Sequence, residues 1–153
     1  MQSKFVWNIA QIFAAAVGLN YAWEIAQGFL YSGMTYTKGL WLHCFFASLG
    51  DGVLVLIIYL IGWGAFCRSD WFFQRSGPRL ALTISLGLII GIIVEWVGVH
   101  ILNRWSYTDQ MPLVPGLEIG VVPLLQMLML PPVVFAIVTR LRMYKKTEIT
   151  LSR

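Results

Sequence analysis

Three carboxylic acids, Glu24, Asp51 and Glu95, stand in stretches of this chain that are otherwise apolar. A carboxyl group in hydrocarbon opposes insertion by about 2.5–3.5 kcal/mol, so an acid there needs a partner or a task. The task such groups suit is acid–base chemistry in an apolar pocket. One acid gives a proton, another removes one, and aromatic faces steady a cation formed in between. Asp51 and Glu95 are the candidate catalytic pair, and Glu24 and His43 are placed to tune them. Other chemistries fit less well. Two histidines without HxxxH or HExxH spacing fall short of the ligand set of a membrane di-iron centre, so neither a metal nor a cofactor is expected. Ser48 lacks a nucleophile-elbow context, and no histidine stands at helical spacing beside it.

The elements that must position these acids follow from composition. The chain of 153 residues is 58% hydrophobic, 14% aromatic and 12% charged. Soluble domains carry about 25% charged residues, so this chain has too few to cover a water-facing surface. Four stretches, at about 5–30, 40–67, 80–102 and 117–139, approach the roughly 20 apolar residues that cross a bilayer. The joins "YSGMTYTKG", "RSDWFFQRSGPR" and "NRWSYTDQMPLVPG" carry turn residues. The expected fold is therefore all-α: one polytopic membrane domain over 1–153, built as a four-transmembrane-helix bundle. Asn8 and Gln11 interrupt what would be the apolar core of a signal peptide, so the first span is expected to be retained. Cys44 and Cys67 are 23 positions apart, about 35 Å along a helix, which excludes an intrachain disulfide; both read as small buried hydrophobes.

Basic residues set the orientation. Lys4, Arg68, Arg75, Arg79, Arg140, Arg142, Lys145, Lys146 and Arg153 fall on one side of the four spans, and Lys38 and Arg104 on the other. The nine-to-two asymmetry predicts both termini, including the basic tail 140–153, in the cytoplasm, with the protein in the cell (inner) membrane. The same placement at helix ends argues against a nucleic-acid face, despite a net charge of +4.

With that orientation every acid of the spans lies between the outer rim and mid-membrane. Asp51 is about 16 Å down the second helix and Glu95 about 10 Å below the outer surface. Glu118 is expected at the start of the fourth helix. At 100° per residue, Asn20, Glu24 and Gln27 fall within about 60° on the first helix, and Ser48 and Asp51 likewise on the second. Thr83, Gly87, Gly91, Glu95 and Gly98 share one side of the third, where GxxxG spacing admits a close helix neighbour. His100 points about 140° away from Glu95. Trp105 and Tyr107 in the following loop, with His100 and with Gln126 on the fourth helix, are candidates for contacting a substrate. Trp105 alone also reads as part of an interfacial aromatic belt. Pro131 and Pro132 remove two donors in mid-span, and neighbours must compensate the freed carbonyls.

Residues 91–126, "GIIVEWVGVHILNRWSYTDQMPLVPGLEIGVVPLLQ", resemble small membrane proteins of carotenoid biosynthesis, the lycopene-cyclase domains and the related hydratase-like proteins. The shared layout is an acid in a span, a Trp/Tyr-containing exit loop and a Gly-Val-Pro-led helix. On that resemblance Glu95, Trp105, Tyr107 and Pro123 match the pattern. It implies a long isoprenoid substrate and protonation of an alkene. The cyclase domains carry paired glutamates after the last proline, whereas this chain reads Leu124, Leu125, Gln126, a departure that argues against cyclisation.

Three functions fit these features. The first is a membrane enzyme acting on an isoprenoid or other lipid by acid–base chemistry. The second is a small accessory subunit packed in a larger membrane complex, consistent with the aromatic-rich spans. The third is a proton-coupled carrier, which four spans without an inverted repeat would support only as a homo-oligomer.

Overall fold

A computed structural model describes residues 2–34, 38–74 and 76–151, with the side chains of 2–4, 38 and 145–151 left aside. The described residues form four long helices: α1 (Gln2–Gln27), α2 (Lys38–Phe66), α3 (Gly77–Trp96) and α4 (Val121–Leu151). A backbone surrounded by hydrocarbon must satisfy its polar groups within each segment, so long apolar runs become helices. All four are long and apolar enough to cross a membrane, over Phe5–Leu30, Gly39–Phe66, Gly77–Ile101 and Val121–Tyr144. The chain is an all-α, multi-pass membrane protein.

The fourth helix begins later than the sequence indicates. Residues 113–120 form a tight reversal, with Leu113 bridged to Gly120. Val114 N–H donates to the Ile119 carbonyl at 2.8 Å, and Val121 N–H to that of Pro112 at 2.8 Å. Glu118 takes a left-handed φ of 51° in this turn, so it belongs to the loop and not to the helix. At the other end α4 runs on through the basic tail to Leu151.

The helices pack in the order α2, α1, α4, α3, with α2 and α3 the neighbours that touch least. The bundle is thus closed on three sides and thin along the fourth. At the end holding the termini, the space between α2 and α4 is plugged. The α2–α3 connection makes a short 3₁₀ turn, Trp71–Phe73, with Trp71 and Phe72 buried. Trp71 Nε1 donates to the Tyr59 carbonyl at 3.1 Å, and the indole lies where a Cβ on Gly62 would stand 2.2 Å away. Phe72, Phe135 and Tyr59 close the ring cluster around it. A connection that reads as a polar turn therefore supplies part of the core.

Cys44 is buried, as expected, and free. Cys67 is exposed, against expectation, because it ends α2 in a left-handed conformation (φ 51°) that turns it out of the bundle.

Candidate functional site

At the end opposite the termini the seam between α2 and α3 opens into a cavity of about 640 Å³. Its α2 wall is His43, Phe46, Ala47, Gly50, Asp51 and Leu54, spaced as one helical face. Glu95 and its neighbours on α3 form the facing wall, Glu24 of α1 and Gln126 of α4 the back, and Trp105 the cover. All three span acids therefore border one space.

Gln126 is the junction of the back wall. It is 2% exposed, and the two N–H bonds of its side-chain amide are shared among three acceptors, Asn20 Oδ1 at 2.8 Å, Asp51 Oδ2 at 2.9 Å and Glu24 Oε1 at 3.1 Å. Its own oxygen accepts from Gln27 Nε2 at 2.9 Å, and Gln27 Nε2 also donates to Glu24 Oε1 at 2.8 Å. One amide thus ties α1, α2 and α4 together. Ser48 does not join this network; its hydroxyl donates to the Phe45 carbonyl of its own helix.

Glu95 is held from the other side. It is 7% exposed, on the buried stripe of Thr83, Gly87 and Gly91, and its Oε2 accepts from Trp105 Nε1 at 3.3 Å and from the Tyr107 hydroxyl. Trp105 is therefore no belt residue. It folds back over Gly98, where a Cβ would stand 2.1 Å from the indole. α3 ends there in a π-helical segment, Val97–Ile101, a rare form that is frequent at functional sites. Burial and then the Glu95 carboxyl push the Tyr107 phenol above its usual range, so it stays a hydrogen-bond donor at neutral pH. Among the described residues, every side-chain hydrogen bond to Glu24, Asp51 and Glu95 ends on a single oxygen of each acid.

The cover is pinned across two loops. Ser32 N–H donates to the Ser106 carbonyl at 2.9 Å, Thr108 N–H to that of Leu30 at 2.9 Å, and Ser32 Oγ to that of Tyr107 at 2.9 Å. Tyr31 packs on Tyr107 with ring centroids 5.5 Å apart. Tyr31 and Arg104 also line the cavity, and the sequence gives no sign of it, since a Tyr beside Ser-Gly reads only as a turn.

Of the residues singled out from the sequence, Asp51, Glu95, Glu24, His43, Trp105 and Gln126 line the cavity, and Tyr107 reaches it through Glu95. His100 stands apart: it is exposed, and its Nε2–H donates to the Leu117 carbonyl at 3.0 Å. Among the described residues no group of three or more His, Cys, Asp or Glu side chains is arranged to hold a metal ion. Comparison with models of known protein families, with curated proteins and with solved structures gives no match to this chain.

Proposed function

We propose that this chain is an integral membrane enzyme that carries out acid–base chemistry on a lipid, of the isoprenoid class, inside the cavity between α2 and α3. The observation that carries this reading is the convergence of Glu24, Asp51 and Glu95 on one largely apolar space. Glu95, positioned by Tyr107 and Trp105, gives a proton to an alkene carbon. Asp51 takes a proton from a neighbouring carbon of the resulting cation, so the double bond moves and the acids end with their protons exchanged. Trp105 offers a π face to the cation. Glu24 and His43 set the field around the pair. The isoprenoid class rests on the resemblance of residues 91–126 to carotenoid-pathway membrane proteins.

The test compares lipid extracts of cells making the wild type, Asp51→Asn or Glu95→Gln, by mass spectrometry. A lipid species dependent on the wild type is expected to fall about a hundredfold in either variant, the range of a lost general acid or base. Unchanged lipids, with both variants as abundant and stable as the wild type, overturn the enzyme reading. Loss of a stoichiometric co-purifying protein, with lipids unchanged, puts the accessory-subunit reading in its place.

The proposal also places the cavity in the outer half of the inner membrane, with both termini cytoplasmic, on the nine-to-two basic asymmetry. Cysteines at Ser32, Thr108 and Ser76 test this in a Cys67→Ser background, which removes the exposed native thiol. A membrane-impermeant thiol reagent on intact cells is expected to label positions 32 and 108 only. Labelling of 76 alone reverses the orientation.

A further inference from the structure

We infer that the cavity is loaded sideways, from the hydrocarbon, and that it takes one end of a long-chain lipid while the rest of the chain leaves through the seam between α2 and α3. This inference rests on the reading of the cavity as a lipid site, and it adds a tail subsite and a route of entry.

Three features carry it. The cover is held in place where its two loops are joined by backbone hydrogen bonds at Ser32–Ser106 and Leu30–Thr108. The back is closed by the Gln126 network, and the far end of the bundle interior is filled by Trp71 and Phe72 between α2 and α4. The apolar opening is the seam itself. Phe46 of α2 and Ile93 of α3 both line the cavity and are nevertheless 62% and 55% exposed. Both lie inside membrane-spanning segments, so the exposure is to lipid and the cavity opens into hydrocarbon at that point.

An occupant entering there meets an apolar slot first and carboxyls beyond it. A molecule with a polar or reactive end and a long apolar tail fits that order. The whole length of the tail need not be enclosed, so the site reads the terminus of the chain and is tolerant of its length.

Gly50 gives a direct test. It lines the cavity, and a Cβ built on it meets nothing within 4 Å, so a side chain can start from this position unobstructed, and Gly50→Phe is expected to obstruct the seam. Gly64, on the same helix and equally unobstructed, lies outside the cavity and serves as the control position. The probes are two hexadecanols, one with a diazirine near the hydroxyl and one with it at the tail end, each in phosphatidylcholine vesicles holding the full chain. After irradiation, labelled peptides are mapped by mass spectrometry. The hydroxyl-proximal probe is expected to mark cavity residues such as Leu54 and Val94, and the tail-end probe Phe46 and Ile93. Labelling at both sites should fall about tenfold in Gly50→Phe and persist in Gly64→Phe.

Labels spread over the outer faces of all four helices, or unchanged in Gly50→Phe, overturn sideways loading. Cavity labels from both probes, with none at Phe46 and Ile93, overturn the tail subsite. Failure of the enzyme reading is told apart by Asp51→Asn and Glu95→Gln. If these leave lipid turnover unchanged while Gly50→Phe abolishes labelling, the seam is a lipid site without the proposed chemistry.

Discussion

Gly87→Ala is expected to destabilise the bundle by about 3 kcal/mol, the upper end of what overpacking a well-filled core brings. A Cβ at Gly87 would stand 2.2 Å from the Met127 carbonyl oxygen, which is backbone and cannot swing aside. That carbonyl has a particular history in the sequence. Pro131 has no N–H to give it, and the proline ring presses on the carbonyl four residues earlier, so the group is turned out of its own helix. Gly87 lets α3 approach closely enough for its Cα–H to face the freed oxygen, a weak contact that recurs where helices touch. Alanine forces the two backbones apart and strands the oxygen in an apolar seam. Denaturation in mild detergent, followed by tryptophan fluorescence, measures the effect. Gly18→Ala, where a Cβ meets nothing within 4 Å, is the matched comparison and should lose nothing. Equal stability of Gly87→Ala and Gly18→Ala would show that α3 and α4 do not meet there.

The second large effect is expected at Gln126. In Gln126→Glu a group that donates to Asn20, Glu24 and Asp51 becomes one that only accepts when ionised, beside two other carboxyls. Hydrogen bonds to charged groups contribute about 1.5–3 kcal/mol each, so the variant should lose roughly 3 kcal/mol or fail to accumulate. The geometry also predicts a rescue. In the exchange Gln126→Glu with Asp51→Asn, an amide again donates across the 2.9 Å contact, with donor and acceptor traded between α4 and α2. The double variant should recover about half the loss, a coupling that contacting residues show and distant ones do not. If its stability equals the sum of the single effects, the two side chains are not partners. Lipid turnover is not expected to return with the fold, because position 51 no longer holds an acid.

Much of this arrangement is legible before any coordinates. The spans follow from the thickness of hydrocarbon, and the helical period of 100° per residue puts Asn20, Glu24 and Gln27 on one face, where Gln126 meets them. Three features are not legible, for separate reasons. The start of α4 depends on Glu118 adopting a left-handed φ, a conformation that non-glycine residues seldom take and that composition does not signal. The burial of Trp71 depends on a connection folding inward, whereas "RSDWFFQRSGPR" has the polarity of any membrane-surface loop. The open seam between α2 and α3 depends on which helices are neighbours. Helices that are apolar on every face carry little information about neighbour order, since lipid and protein are equally acceptable surroundings for Leu and Ile. Trp105 shows the same limit at one residue: an interfacial tryptophan and one folded onto a buried glutamate have identical sequence surroundings, and only Gly98 hints at the second.

The aromatic plug has a consequence for proton movement. From Gly52 to Ile58 on α2, and from Met127 to Val138 on α4, the chain offers no side chain able to relay a proton. Tyr59 and Asn8 lie beyond that layer, sharing the Ser69 carbonyl as acceptor and sealed by Trp71 and Phe72. The three acids are thus separated from the end holding the termini by about 10 Å of α2 and α4 whose side chains are all apolar. On the proposed function, protons exchanged at Asp51 and Glu95 would find no side-chain relay along α2 or α4 toward the end that holds the termini.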